Sequence, residues 1–410
     1  VADLQPLSAG ALKAEITSLL SRHEDSADAM RAVRYLRRRE ILRIAMGDAL
    51  NLLSVQQVCT GLATVDECTI GAALALAERE EVKAGERDEE TAPQKSDAPQ
   101  RDSLEAAGEN SEEEQRNPLL TEITVIAMGR LGGAENGFGS DADVMFVHRP
   151  VEGADEKEAQ AQANRIVNRL MQLIKQPVRP AIRAERPLEV DADLRPEGKQ
   201  GALVRSLDSY RAYYERWAET WEFQALLRAR PIAGSEDLGS AFVELIDPHR
   251  YPREFTVEQA QQVRRMKARV EHERMPHGAD RTRQLKLGRG GLSDVEWLVQ
   301  LIQLQHAHKV EELRTTSTLD ALDAAIQANL VAAEDAEVLR DAWLLATKIR
   351  GGNVLRGVRQ SDLLPTLRDA LEAVARWSGY TPGSARQLEE DYLRVTRNAR
   401  KVYERLFFEV

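Results

Sequence analysis

The chain has 410 residues, 30% of them charged and 42% hydrophobic, with a formal net charge of −11. That length exceeds one compact core and predicts two or three domains, in a composition expected of a soluble protein. The acidic balance argues against generic nucleic-acid binding, which needs a basic footprint, and the only cysteines, Cys59 and Cys68, offer neither a disulfide framework nor metal-type spacing, so a reducing cytoplasm fits.

The opening, "VADLQPLSAGALKAEITSLL", lacks Met and a secretory signal, as expected of a piece of something longer. No apolar run reads as long enough to span a bilayer, so no membrane partner is expected. Residues 1–84 read as an amino-terminal helical segment, with Met30, Val33, Leu36, Ile41, Ile44 and Leu50 roughly on one stripe. Arg34, Arg37, Arg38 and Arg39 fall off that stripe and read as a solvated face. From 85 to 118 the chain turns to Glu, Asp, Ser, Gln and Pro with one large apolar residue, Leu104. Such a segment cannot bury enough surface to offset its ordering entropy and reads as a disordered or mobile acidic insertion.

Residues 119–235 change character again. "LTEITVIAMGRLGG" is a buried strand around Ile123, Val125 and Ile126 that ends in glycines. "DADVMFV" is a second strand, "KEAQAQANRIVNRLMQLIKQ" an amphipathic helix, and "PLEVDADL" a third strand followed by a turn and a partner strand, "ALVRS". The pattern is a small mixed sheet. "SLDSYRAYYERWAETWEFQALLRAR" reads as one helix with Tyr210, Tyr214, Trp217 and Trp221 on a core-facing stripe. Residues 236–410 then alternate helical periods with short Gly/Pro breaks, as a carboxy-terminal helix bundle would.

The chemistry concentrates in "GRLGGAENGFGSDADVMFV". On a strand, Asp141 and Asp143 share a face, and two adjacent carboxylates repel unless a cation lies between them. Mg²⁺ prefers few carboxylates and completes its shell with substrate phosphates. Gly132 and Gly133 let backbone approach a triphosphate, and a helix starting there would favour the anion. Asp191 and Asp193 of "LEVDADLRP" are candidates for a third carboxylate, enough to clamp two metals about 4 Å apart. An isolated D-x-D on a strand is common, so the glycine pair and the second carboxylate strand carry the argument. No G-x-G-x-x-G opens a strand–helix unit, which makes Rossmann chemistry a poor fit. His306 and His308 lie on different helix faces and form no ligand set.

The glycine pair, seven residues, then Asp141-x-Asp143 between apolar strands resembles the DNA polymerase β-type nucleotidyltransferase superfamily. "MGRLGGAENGFGSDADVMFV", "EVDADLRPEGKQGALVRSLDSY", "WEFQALLRARPIAG" and "LKLGRGGLSDVEWLVQLIQL" are similar to blocks of the glutamine synthetase adenylyltransferase family, in that family's order. The resemblance implies an α+β, mainly helical fold: a polymerase β-type nucleotidyltransferase domain between an amino-terminal helical segment and a helix bundle. It also implies transfer of AMP from ATP to a tyrosine of glutamine synthetase, with Mg²⁺ (two ions), no nucleic acid, and a PII-type protein as candidate regulator. Family members carry two such halves. The ending "RKVYERLFFEV" looks like a natural carboxyl terminus, and Ser293 stands where the adenylyl-removing half tends to have Arg, so the carboxy-terminal, transferring half is expected.

The resemblance makes Asp141, Asp143 and Asp191 catalytic and metal-binding, with Gly132, Gly133, Ser140 and Arg130 at the phosphates. Arg195, Arg228 and Arg230 are further phosphate candidates whose simpler reading is structural ion pairing. The family block often reads V-D-x-R-L-R-P; Asp193 replaces its Arg here. In "KLGRGGLSDVEW", Ser293 or Asp294 reads as a helix cap and Glu296 as structural. Lys286 and Arg289 stand on a turn that is either structural or faces the active site or a protein substrate. The rival readings are the removing half, a uridylyltransferase acting on a small signalling protein, and a non-catalytic regulatory module, which three intact aspartates argue against.

Overall fold

The computed structural model describes residues 4–91, 119–177, 186–357 and 361–408. Three helices come first: α1 (Ala9–Arg22), α2 (Ser26–Ala49) and α3 (Val55–Thr91). Ser8 and Asp25 cap α1 and α2 by accepting the N–H groups of Ala11 and Asp28, which satisfies donors that a first helical turn leaves unpaired. Met30, Val33, Leu36 and Ile44 are buried as the stripe requires, whereas Leu50 caps the helix and is exposed.

The arginines beside that stripe divide. Arg38 and Arg39 are solvated, but Arg34 is buried and donates to the Gln176 carbonyl at 2.6 Å. Arg37 pairs with Asp66 at 2.9 Å and donates to the Arg186 carbonyl. These two tie α2 to Asp66 of α3 and to the backbone at residues 176 and 186, a long-range need that local periodicity cannot register.

Two expectations are corrected in α3. It runs on to Thr91, because Glu86, Arg87, Glu89 and Glu90 are good helix formers even where they are poor core formers. The rest of the acidic insertion, 92–118, lies outside the described residues. Contrary to expectation, Val55–Glu86 is long and apolar enough to cross a membrane, but 72% of its most apolar window is buried inside the protein. It packs on α1 and α2, and on the helix and edge strand described next as α5 and β5.

Burial without a partner pushes the Glu78 carboxyl of α3 up to about 7 from its ordinary value near 4.5. The folded state therefore holds that proton more tightly, and its contribution is complete below pH 4.5 and lost as pH rises through about 7. Glu78→Gln should remove a pH-dependent loss of about 2–3 kcal/mol at most. Urea unfolding of both proteins at about pH 4 and about pH 8.5 checks this, the change in stability between the two pH values being larger for the wild type.

The sheet region follows in the order β1 (Thr121–Ala127), α4 (Gly129–Gly132), β2 (Ala142–Pro150), α5 (Glu156–Lys175), β3 (Val190–Asp191), β4 (Val204–Ser206), α6 (Leu207–Arg216), α7 (Thr220–Leu226), β5 (Arg230–Gly234) and α8 (Glu236–Arg250). β1 and β2 are antiparallel neighbours, with Ala127 opposite Val144. α5 buries Ile166, Val167, Leu170, Leu173 and Ile174, the apolar stripe of its sequence.

The remaining strands depart from expectation. β3 and β4 do not pair with each other; both lie parallel to β2, β3 at its Ala142–Asp143 end and β4 at Phe146–His148. β3 stops at Asp191, so Asp193 sits in a turn. A fifth strand, β5, pairs antiparallel with β1 where the sequence suggests helix. The mixed sheet thus has β5 at one edge, then β1 and β2, with β3 and β4 sharing the other edge.

The aromatic stripe is also broken. α6 ends at Arg216, and Glu219 with Glu222 forms a capping box that starts α7. Tyr210 and Tyr214 are buried under the sheet, but Trp217 is 66% exposed and Trp221 36%. The rest is helical: α9 (Val257–Arg274), α10 (Leu292–His306), α11 (Thr318–Gln327), α12 (Ala333–Gly357), α13 (Arg368–Trp377) and α14 (Ala385–Phe408). Helices α10 to α14 share one apolar core, while α1 to α3 share theirs with one face of the sheet. The fold is therefore α+β and mainly helical, with a small mixed sheet.

Candidate active site

The site is built where β1 ends. Gly129 takes φ +51°, a left-handed conformation that glycine adopts without strain. A Cβ there would fall 2.2 Å from Asp143 Oδ2, so only glycine leaves that carboxylate its position. The Met128 N–H donates to the Asp143 carbonyl at 2.8 Å, fixing the turn against β2.

Gly132 and Gly133 serve a different need from the one expected. Their absent side chains face protein: a Cβ on Gly132 would lie 1.7 Å from the Arg228 carbonyl oxygen, and one on Gly133 2.1 Å from Arg228 Nη1. Their N–H groups donate to the Met128 and Gly129 carbonyls. The donors without an intrahelical partner are those of the first turn, from Gly129 to Leu131.

Asp141 lies exposed just before β2, and Asp143 is half-buried within it. Register places Asp143 directly beside Asp191 of β3. Burial, together with repulsion from Asp191 and Asp141, pushes the Asp143 carboxyl up to about 6, against the opposing pull of Lys286 and Arg274. Asp141 is raised by burial and by Glu189 and Asp191, against Arg186 and Lys286. The charges of these acids act on one another, so the structure does gather them. Among the described residues, however, no three His, Cys, Asp or Glu side chains converge tightly enough to hold a metal as they stand. Like charges without a cation between them keep apart. The donor set is hard oxygen throughout, which fits Mg²⁺, an ion that needs one or two carboxylates when phosphates supply the rest.

The two carboxylates of "VDADL" have separate roles. Asp191 Oδ1 accepts the Asp193 N–H at 2.7 Å and so shapes the turn after β3. Asp193 pairs with Lys199 at 3.2 Å and, more loosely, Arg195 at 3.7 Å.

The remaining candidates are mostly committed elsewhere. Arg195 donates to the carbonyls of Ala192, Lys199 and Gly201, bracing that same turn. Arg228 pairs with buried Glu135 at 2.8 Å and donates to Thr318, joining the sheet to the helix bundle. Arg230 pairs with Glu67 and donates to the Leu131 and Gly132 carbonyls. Arg228 and Arg230 are thus structural, the simpler reading of each. Arg130 pairs with Glu296 at 3.2 Å, with its guanidinium over the Trp343 ring. Ser140 Oγ accepts the Gly137 N–H at 2.9 Å.

Fully buried Asp294 accepts from Lys267, Arg400 and the Gly290 N–H, so it anchors the start of α10. Lys286, from the same sequence block, instead faces the carboxylates.

Three site residues escape the sequence reading, Arg186 among them with no local signal. Glu189 carries a signal, being two residues before Asp191 and so on the same strand face. Arg274, at the far end of α9, carries none. Two recesses share Asp141 and Glu189, and a third carries the cations that act on the acids. One of about 180 Å³ is lined by Phe138, Ser140, Asp141, Arg186 and Glu189, and another of about 440 Å³ by Asp141, Glu189, Asp191, Asp193 and Lys199. The largest, about 840 Å³, holds Arg274 and Lys286 on its wall.

The family described as glutamate-ammonia ligase adenylyltransferase matches residues 2–100 and 96–245. A second family, GlnD PII-uridylyltransferase, matches residues 264–407. The bifunctional glutamine synthetase adenylyltransferase/adenylyl-removing enzyme of Corynebacterium glutamicum is 45% identical over 96% of this chain and 35% of its own length. The Nocardia farcinica enzyme of that name is 45% identical over 96% of the chain and 36% of its own length, and that of Streptomyces avermitilis 44% over 99% and 38%. The chain therefore spans little more than a third of these relatives. It belongs to the glutamate-ammonia ligase adenylyltransferase family.

Proposed function

We propose that this chain transfers AMP from ATP to a tyrosine hydroxyl of glutamine synthetase and releases pyrophosphate, as the carboxy-terminal, transferring half of the bifunctional enzyme. The observation that carries the reading is the parallel register of Asp143 and Asp191, with Asp141 at the head of the same strand and Gly129 leaving Asp143 its room. The relatives' shared name supports glutamine synthetase as the protein substrate. The match of 264–407 to a PII-uridylyltransferase supports a PII-type protein as regulator of the helical part. Two free, buried cysteines suit a reducing compartment, the cytoplasm.

The chemical obstacle is the nucleophile, since forming phenolate at pH 7 from a group of pKa about 10 costs about 4 kcal/mol. The phenol oxygen bonds to the α-phosphorus, and the bond from that phosphorus to the bridging oxygen breaks. The electron pair leaves with pyrophosphate, and the phenol proton passes to a carboxylate oxygen of Asp191. Mg²⁺ held by Asp141, Asp143 and Asp191 would supply charge neutralisation at the triphosphate and a lowered phenol pKa. First-turn N–H groups of α4 offer donors to phosphate oxygens, and Lys286 and Arg274 bring positive charge from across the cleft. Ser140 stands where the phosphates would pass.

The test is incubation with glutamine synthetase, Mg²⁺ and base-labelled ATP. One adenylyl group per modified subunit, on tyrosine, with stoichiometric pyrophosphate, is the expected result. Removal of AMP from adenylylated glutamine synthetase by phosphate, without forward transfer, would instead identify the removing half. Label on a small signalling protein alone would favour the uridylyltransferase-like reading.

A further inference from the structure

A groove runs between α7 and α9, with α10 residues on its wall and with Lys286 and Arg274, whose charges act on Asp143, at one end. Its inner part is the 840 Å³ cleft, where Lys286 and Arg274 stand nearest the acids and Trp297 and Met266 line the wall. The outer part, about 640 Å³, continues past Trp221 and Met266 to Phe223 and Arg265. Trp221 lies on both, its indole N–H held by Glu219 at 2.9 Å. Rigid aromatic and Met surface left open to water suits contact with another molecule.

Two observations specify the occupant. Gln224, buried to all but 4%, lines the inner part. Its Nε2 donates to Gln300 at 2.7 Å, and its buried Oε1 has no hydrogen-bond partner among the described residues. A buried amide oxygen without a donor is costly, and a backbone N–H of an extended peptide would satisfy it. The second observation is charge. Arg265, Arg274 and Lys286 form no salt bridge among the described residues, while Glu273, Glu296 and Asp362 on the lining pair with Arg269, Arg130 and Arg350. Glu219 is the one lining carboxylate without such a pair among the described residues, and Lys286 and Arg274 also face Asp143 at the inner end. On a chain of net charge −11 this is a local positive line, and long-range attraction would draw an acidic segment to it.

We infer that this groove holds an extended, acidic polypeptide segment of the acceptor protein and feeds its tyrosine towards the carboxylates. The inference rests on the proposed adenylyl transfer and adds the surface that selects the protein substrate. Glutamine synthetase is the probe. In the 410-residue chain, Arg265→Glu, an exposed charge reversal, and Trp221→Ala with Met266→Ala should each raise the KM for glutamine synthetase at least tenfold. The kcat at saturation and the Kd for Mg²⁺–ATP, read by calorimetry, should stay within about twofold, because neither set touches the nucleotide. Retained melting temperature separates this from misfolding. An unchanged KM in both variants overturns the groove and leaves the transfer reading standing. A wild-type chain that binds Mg²⁺–ATP but neither binds nor modifies glutamine synthetase overturns both.

Discussion

Replacing Asp141 and Asp143 together by asparagine is expected to lower AMP transfer at least about a thousandfold while the protein stays folded. The amide keeps the shape of each side chain and removes its charge. Asp141 is exposed and Asp143 half-buried, and both repel each other and Asp191. Neutralising them therefore relieves strain at the β2 edge, and the melting temperature without metal should be unchanged or higher. The same substitution should abolish any stabilisation of the protein by Mg²⁺–ATP, since binding to the folded state alone is what raises apparent stability. Both readouts come from one preparation: transfer by mass analysis of glutamine synthetase, and melting with and without Mg²⁺–ATP. Full transfer by the double variant would sink the assignment of these carboxylates.

At the third carboxylate, Asp191→Ala is expected to cost at least about a hundredfold in rate, and Asp193→Ala much less. The structure supplies a reason that the alternation of the strand does not. Asp191 is the last residue of β3 and lies in register with Asp143. Asp193 sits beyond it in a turn, paired with Lys199 and Arg195. Because Asp191 Oδ1 also accepts the Asp193 N–H, alanine removes a turn contact as well as a charge. Asp191→Asn keeps the acceptor and removes only the charge, so it should be nearly as slow if charge is what matters. Recovery of most activity in the asparagine variant would mark Asp191 as a positioning residue instead. Asp193→Arg should be tolerated less well than Asp193→Ala, for it sets a third cation beside Lys199 and Arg195. A dead Asp193→Ala beside an active Asp191→Ala would place the third ligand wrongly.

Much of this protein was legible in its sequence. The apolar runs that became β1 and β2, the stripe of α5 and the pairing of glycine turn with Asp141 and Asp143 are local patterns. Side-chain periods of about two and 3.6 residues, and the φ freedom of glycine, act within a few residues and leave a direct mark. The sequence blocks that resemble the family were local as well, and they led to the same family as comparison with known proteins.

What only the tertiary structure decided was every pairing between distant segments. Strand β3 could have run on through Asp193 or paired with β4 as a hairpin. Both instead line up along β2, because that edge offers unpaired backbone groups and burial for Val190 and Val204. The placement of Asp191 against Asp143 follows from it. Arg34 and Arg37 look like surface charges until Gln176 and Asp66 are seen to receive them. Trp217 looks like core until α6 ends at Arg216 and the capping pair Glu219 and Glu222 starts a new helix. Lys286 and Arg274 reach Asp143 from more than a hundred residues away. In each case the deciding energy is burial or a hydrogen bond between parts of the chain that no local period connects, so the sequence names the chemistry and the packing decides which residues share it.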